Sequence, residues 1–244
     1  MKEYCVAVDV GKRKDRFVIE VGKDVAEIVD GDRRIDQPDR LLHFYDIVFI
    51  DQLFGKSYIE MVSSVWKLMQ HKDLAQNADL IVDATGVGEP VVDLMRSKDL
   101  FPTPIIITGG GQSREVYSEF GKVFSSSQSG KLAGARILQE IHVPKDDLVA
   151  AGNLLAQRNR IRVAQGVRWA PEMQTQLMHF RGIPTKTGRT KHEADDEEIH
   201  DDLVTAYLLL AWWFTRDRRD GNIPEQTISG SGQRTGEWDP MEFL

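Results

Sequence analysis

The sequence predicts an α/β fold: a central mixed β-sheet with three antiparallel strands first and parallel strands after them, flanked by helices. Three observations carry this. The first 50 residues hold three β-rich runs separated by Gly, Asp and Pro, the signature of strands in hairpin succession. From Ser57 onward the apolar period changes to that of alternating helices and strands, which implies parallel pairing. The chain of 244 residues is 41% hydrophobic and 28% charged, a balance that forms a core.

The first run is Tyr4–Val10, ending Val8-Asp9-Val10 before Gly11; the second is Arg16–Val21 and the third Leu41–Phe49. Ser57–Leu74 places Ile59, Val62, Val65, Trp66 and Met69 at helical spacing. Asp79–Asp83 reads as a buried strand, Pro90–Arg96 as a helix with proline in its first turn, and Pro104–Thr108 as another strand. Gly109–Gly111 and Ser125–Gly130 read as loops. A helix is predicted from Pro144 to about Asn159, a short strand at Arg160–Val163 and a helix over Ala170–Arg181. Ile183–Ile199 is polar and suits a hairpin or a flexible arm, and Asp201–Arg216 is a strongly apolar helix. One domain over residues 1–217 is expected, with a disordered tail over 218–244 of linker composition.

Composition excludes several classes. Cys5 is the single cysteine, so no disulfide scaffold is possible. No apolar run approaches the roughly 18 residues needed to span a bilayer, and the strand pattern begins at once, so an intracellular protein without a signal peptide or membrane partner is expected. The net charge of −7 argues against wholesale coating of nucleic acid but leaves room for local basic patches.

The chemistry lies in separated acids. Asp9 ends the first strand, Asp83 ends the fourth, and Asp201-Asp202 open the last long helix. Ligand sites in α/β sheets gather at the carboxyl ends of strands, where acids from different elements converge. Converged carboxylates repel unless cations neutralise them. Hard oxygen donors without Cys or His pairs favour Mg²⁺ or Mn²⁺. Two such ions about 3.5–4 Å apart activate water against a phosphodiester. Three of these acids have a structural alternative, Asp9 as a turn former and Asp201 and Asp202 as acids answering the helix dipole, whereas Asp83 follows a buried strand with no obvious hairpin turn. Leu203, Ala206, Tyr207, Leu210 and Phe214 form one helical stripe that Asp202 flanks and Asp201 opposes, which favours Asp202 as the ligand.

Two phosphate-binding patterns fail. Gly55-Lys56-Ser57 has Ile50 where the phosphate loop needs its first glycine, and Gly86-Val87-Gly88 has Val91 where a dinucleotide fingerprint needs its third.

Val8-Asp9-Val10-Gly11 with Asp15, then Val82-Asp83-Ala84-Thr85-Gly86-Val87-Gly88, then His200-Asp201-Asp202-Leu203-Val204-Thr205-Ala206 resemble the nuclease domain of large terminase subunits, the genome-packaging motors of tailed bacteriophages and herpesviruses. Val143-Pro144-Lys145, Asn153-Leu154-Leu155, Arg160-Ile161 and Met173–Phe180 fit the same pattern, and the resemblance covers roughly residues 4 to 215. It implies an RNase H-like fold and a metal-dependent endonuclease that cleaves double-stranded DNA during packaging. Asp9, Asp83 and Asp202 would be the catalytic metal ligands for two Mg²⁺ or Mn²⁺ ions, with Asp201 and Asp15 as secondary acids; His200 either assists or orients the helix start or, as a lone histidine more often does, stands there incidentally. The implied partners are double-stranded DNA, an ATPase motor domain, a small terminase subunit and a portal, in the cytoplasm of an infected bacterium. Basic residues after the first acid (Lys12, Arg13, Lys14) and on the polar arm (Lys186, Arg189, Lys191) are candidates for contact with DNA phosphates. A resolvase of branched DNA with the same fold and a non-catalytic module docking on a motor or portal are the competing expectations.

Overall fold

The computed structural model describes residues 2–11, 16–29, 40–86, 88–120, 135–184, 190–194, 201–216 and 226–227. Strands β1 (Tyr4–Val10), β2 (Phe17–Val29) and β3 (Arg40–Leu53) form the antiparallel half of the sheet. Helix α1 (Tyr58–Met69) leads to β4 (Ala78–Asp83), α2 (Gly88–Arg96) and β5 (Thr103–Thr108). Strand β4 lies parallel to β1 and β5 parallel to β4, as the alternating pattern predicts. Strands β6 (Arg114–Phe120) and β7 (Ala135–Pro144) follow, β7 parallel to β5 and β6 antiparallel to β7. Then come α3 (Lys145–Gln157), β8 (Ile161–Val163), α4 (Ala170–His179), the hairpin β9 (Phe180–Pro184) and β10 (Thr190–Ala194), and α5 (Asp202–Thr215).

Among the described residues the sheet has nine strands, in the order β11-β3-β2-β1-β4-β5-β7-β6 with β8 beside β3; β11 is Gln226–Thr227, paired with Leu41 and Arg40. The remainder of the expected tail lies outside the described residues. No helix among those described is long and apolar enough to cross a membrane.

Strand alternation sorts side chains between two cores. Val6, Val8 and Val10 join Met61, Val62 and Val65 of α1 and Val91, Val92 and Met95 of α2 on one face. Cys5 and Ala7 face α3 and α5 on the other, with Ile81, Ile105 and Ile141. Each fully buried aliphatic contributes about 1.5–3 kcal/mol through loss of water contact. Asp9 keeps the phase of Cys5 and Ala7, and Asp83 that of Ile81, so both belong to the α5 face.

Several expectations shift. α1 stops at Met69 rather than Leu74, because Gln70 caps it and the amides of Leu74 and Ala75 bond back to His71 as turns. α4 stops at His179, where Phe180 takes extended backbone and begins β9. β6 and β7 were unread: REVYSEF is charged and lies at the sheet edge, where a half-exposed strand shows no continuous apolar run. α5 carries more than one stripe, since Val204, Leu208, Ala211 and Trp212 are buried too; it is covered by α3, α4 and the sheet.

Candidate metal centre

The parallel register of β1 and β4 ends at Val8 opposite Val82, so Asp9 and Asp83 come next, side by side at the carboxyl ends of the central strands. Asp9 is still held in antiparallel register with Val18. It is 8% exposed and has its proton affinity pushed well above the ordinary carboxylate range, first by burial and then by the negative charges of Asp83, Asp202 and Asp201. The structure thus brings the acids of β1, β4 and the α5 start into one electrostatic neighbourhood.

Asp83 is also raised, chiefly by burial, and partly offset by the side chain of Thr85 and by the Thr85 backbone amide, which donates to its Oδ1 at 2.8 Å. The turn after it is pinned twice more: the Thr85 hydroxyl accepts the Ile107 amide at 2.8 Å, and the Ala84 amide bonds the Ile105 carbonyl at 2.8 Å. Gly86 then takes φ +83°, a left-handed conformation that favours glycine.

Asp201 occupies the N-cap position of α5 but makes no capping bond with its side chain. Its Oδ2 lies 3.5 Å from the Lys145 ammonium. Lys145 opens α3 immediately after β7, so it stands at the same sheet edge, and its charge lowers the proton affinity of both Asp9 and Asp83. The sequence reading passed over Lys145 as a site residue; its position at a strand-to-helix junction beside the acids was the available signal. It also missed Gln176, a polar residue on the otherwise apolar α4 face between Met173 and Leu177, which is 2% exposed and accepts the Leu203 amide at 3.0 Å. At the entrance to the edge, Arg16 donates to Gln52 at 3.3 Å and pairs with Glu172 at 3.3 Å.

Asp15, His200, Lys12, Arg13, Lys14, Lys186 and Arg189 lie outside the described residues, and Lys191 is placed only by its backbone in β10, opposite Ile183.

Among the described residues, no group of three or more acidic, histidine or cysteine side chains is drawn together as a finished metal site. The donor chemistry nevertheless fits a hard divalent cation. Its oxygens are carboxylates, and its most buried member is burdened by neighbouring negative charge that Lys145 only partly offsets.

No protein-family model and no curated protein matches the sequence. Solved structures do match the fold. The large terminase nuclease from thermophilic phage G20c with bound magnesium is 20% identical, covering 86% of this chain and 80% of its own, with a TM-score of 0.54. A second structure of that nuclease is 19% identical, with coverage of 87% and 82% and a TM-score of 0.53. The Thermus phage P74-26 large terminase nuclease domain is 19% identical, with coverage of 86% and 78% and a TM-score of 0.50. The mixed sheet flanked by helices is therefore the RNase H-like fold that these nuclease domains share with the present chain.

Proposed function

We propose that this chain is a divalent-metal-dependent endonuclease that cleaves double-stranded DNA during viral genome packaging, as the nuclease part of a large terminase subunit. One observation carries the reading: Asp9 and Asp83 end adjacent parallel strands, and Asp202 and Asp201 add their charge to the same buried carboxylate. The likeness in fold to phage terminase nucleases supports it.

In this reading Asp9, Asp83 and Asp202 would hold two Mg²⁺ or Mn²⁺ ions. When bound, such ions supply Lewis-acid activation and charge neutralisation for phosphodiester hydrolysis. Asp9, which feels the charges of Asp83 on the strand side and of Asp202 and Asp201 on the helix side, would be the central acid in holding them. The Thr85 amide fixes one Asp83 oxygen. Lys145 holds Asp201 and keeps Asp9 and Asp83 more readily ionised, which is the state that binds a cation. Lys12, Arg13, Lys14, Lys186, Arg189 and Lys191 would meet DNA phosphates, giving salt-sensitive affinity with little sequence preference. The ATPase motor, small terminase subunit and portal are the partners this role implies.

The test is plasmid digestion with Mn²⁺, Mg²⁺ or EDTA, comparing wild type with Asp83→Asn, and with linear and four-way-junction DNA beside the plasmid. Metal-dependent cutting of plasmid and linear duplex that is lost in Asp83→Asn is the expected result. Equal cutting by both proteins removes Asp83 from the chemistry, and a strong preference for the junction replaces packaging with branch resolution.

A further inference from the structure

We propose that Gln176 is a positioning residue for Asp202, acting from α4 as the cap that α5 does not supply for itself; this rests on the reading of Asp202 as a metal ligand. The first amides of a helix have no partner inside it, and an N-cap side chain ordinarily accepts from the second or third of them. In α5 the N-cap is Asp201, whose carboxylate faces Lys145 instead, at 3.5 Å. The second helical amide, that of Leu203, bonds to Gln176 Oε1 at 3.0 Å, from a residue 27 positions earlier in the chain.

The geometry is specific to Asp202. The amide that Gln176 holds belongs to the peptide joining Asp202 to Leu203, so the bond fixes the plane on which the Asp202 side chain is mounted. The adjoining turn is tied independently, by the Thr205 amide and hydroxyl to the Asp201 carbonyl at 2.8 and 3.0 Å. Gln176 is 2% exposed, and its Nε2 makes no hydrogen bond among the described residues. A buried amide that satisfies only half of its bonding is costly where an apolar residue would pack, as Met173 does on the same helix. Its carbonyl is the part that works. By capping from a neighbouring helix, Gln176 leaves both adjacent acids at the α5 start facing the site, where a self-capping Asp201 would turn its carboxylate back onto its own helix.

The experiment compares wild type, Gln176→Met and Gln176→Glu, with Val65→Ala in the opposite core as a control for general destabilisation. Two readouts are used: Mn²⁺ affinity by calorimetry, and hydrogen exchange of the Leu203 amide in EDTA. Gln176→Met keeps the volume but loses the acceptor; exchange at Leu203 is expected to quicken about tenfold, and Mn²⁺ affinity to fall about 10-fold or more. Gln176→Glu keeps an acceptor at the same reach and restores the protection of Leu203. Val65→Ala lowers the melting temperature and leaves the affinity unchanged. Faster exchange with unchanged affinity in Gln176→Met makes the bond merely structural and overturns the proposal, as does unchanged exchange. A wild type that binds no Mn²⁺ defeats the metal-site reading itself, while the exchange data still judge the cap.

Discussion

The Lys145 ammonium lies 3.5 Å from Asp201 Oδ2 and lowers the proton affinity of Asp9 and Asp83 as well, so one cation serves acids from three separate elements. It partly supplies the neutralisation that a bound divalent ion would complete, and the two therefore compete electrostatically.

Lys145→Met is expected to destabilise the metal-free protein by about 1 kcal/mol near neutral pH, the ordinary value for a partly exposed pair. The same change should enlarge the rise in melting temperature on adding Mn²⁺, since the acids then depend more on the metal. Thermal unfolding with EDTA and with Mn²⁺ checks both, and an unchanged Mn²⁺ increment would show that Lys145 and the metal do not share these acids.

Asp201 and Asp202 should respond unequally to substitution. Asp202 is the first residue of α5 and its charge acts on Asp9 more strongly than that of Asp201, which is engaged by Lys145. Asp202→Asn should cost about 3 kcal/mol of transition-state stabilisation, roughly a hundredfold in nicking rate. Asp201→Asn should cost about tenfold, as a group acting beside a ligand does. Single-turnover plasmid nicking measures both, and the reverse order would exchange the two assignments.

The central strands and the acids at their ends were legible in the sequence because a buried strand is a continuous apolar run, and Asp9 and Asp83 each break such a run at its carboxyl end. Strands β6 and β7 were not: the edge strand β6, REVYSEF, meets solvent and carries no such run, and in β7, which lies between β5 and β6, Gln139, Glu140 and His142 interrupt the apolar residues. The α5 stripe gave an incomplete account of a helix buried on all sides. Lys145 and Gln176 escaped because their importance is a matter of tertiary placement: each acts on an acid far away in the chain, through contacts that no local period encodes.

Glu20 sits on β2 opposite Ala7, with no exposed surface and neither carboxylate oxygen hydrogen-bonded among the described residues. Burial alone pushes its proton affinity well above normal, and its charge adds to burial in pushing the Tyr207 hydroxyl up to about 12. A carboxyl raised in the folded state contributes full stability below its unfolded value, about 4.3, and loses it as pH rises through the folded value. Glu20→Gln removes that loss. The variant should match wild type near pH 4 and exceed it by about 1–3 kcal/mol at pH 8. Urea unfolding in EDTA across that range measures the difference, and a difference that does not grow with pH would show that Glu20 does not titrate in this window.

Gly22 lies at the β2–β3 irregularity, where the register shifts between Val21 and Gly22. A Cβ placed there would lie 2.7 Å from Phe214 Cε2 and 3.2 Å from Cζ. That ring is stacked on Tyr45 with centroids 4.7 Å apart and is buried, so it has little room to withdraw. Gly22→Ala should therefore lower stability by about 1–3 kcal/mol, the usual cost of overpacking a dense core. The strain falls at the Phe214 end of α5, more than two helical turns beyond the Asp202 end, so Mn²⁺ affinity should change less than twofold. Chemical unfolding and calorimetry on the same variant separate the two effects. A matching loss of affinity would mean that the whole of α5 shifts as a rigid rod and that its metal-binding end is set by packing at the other.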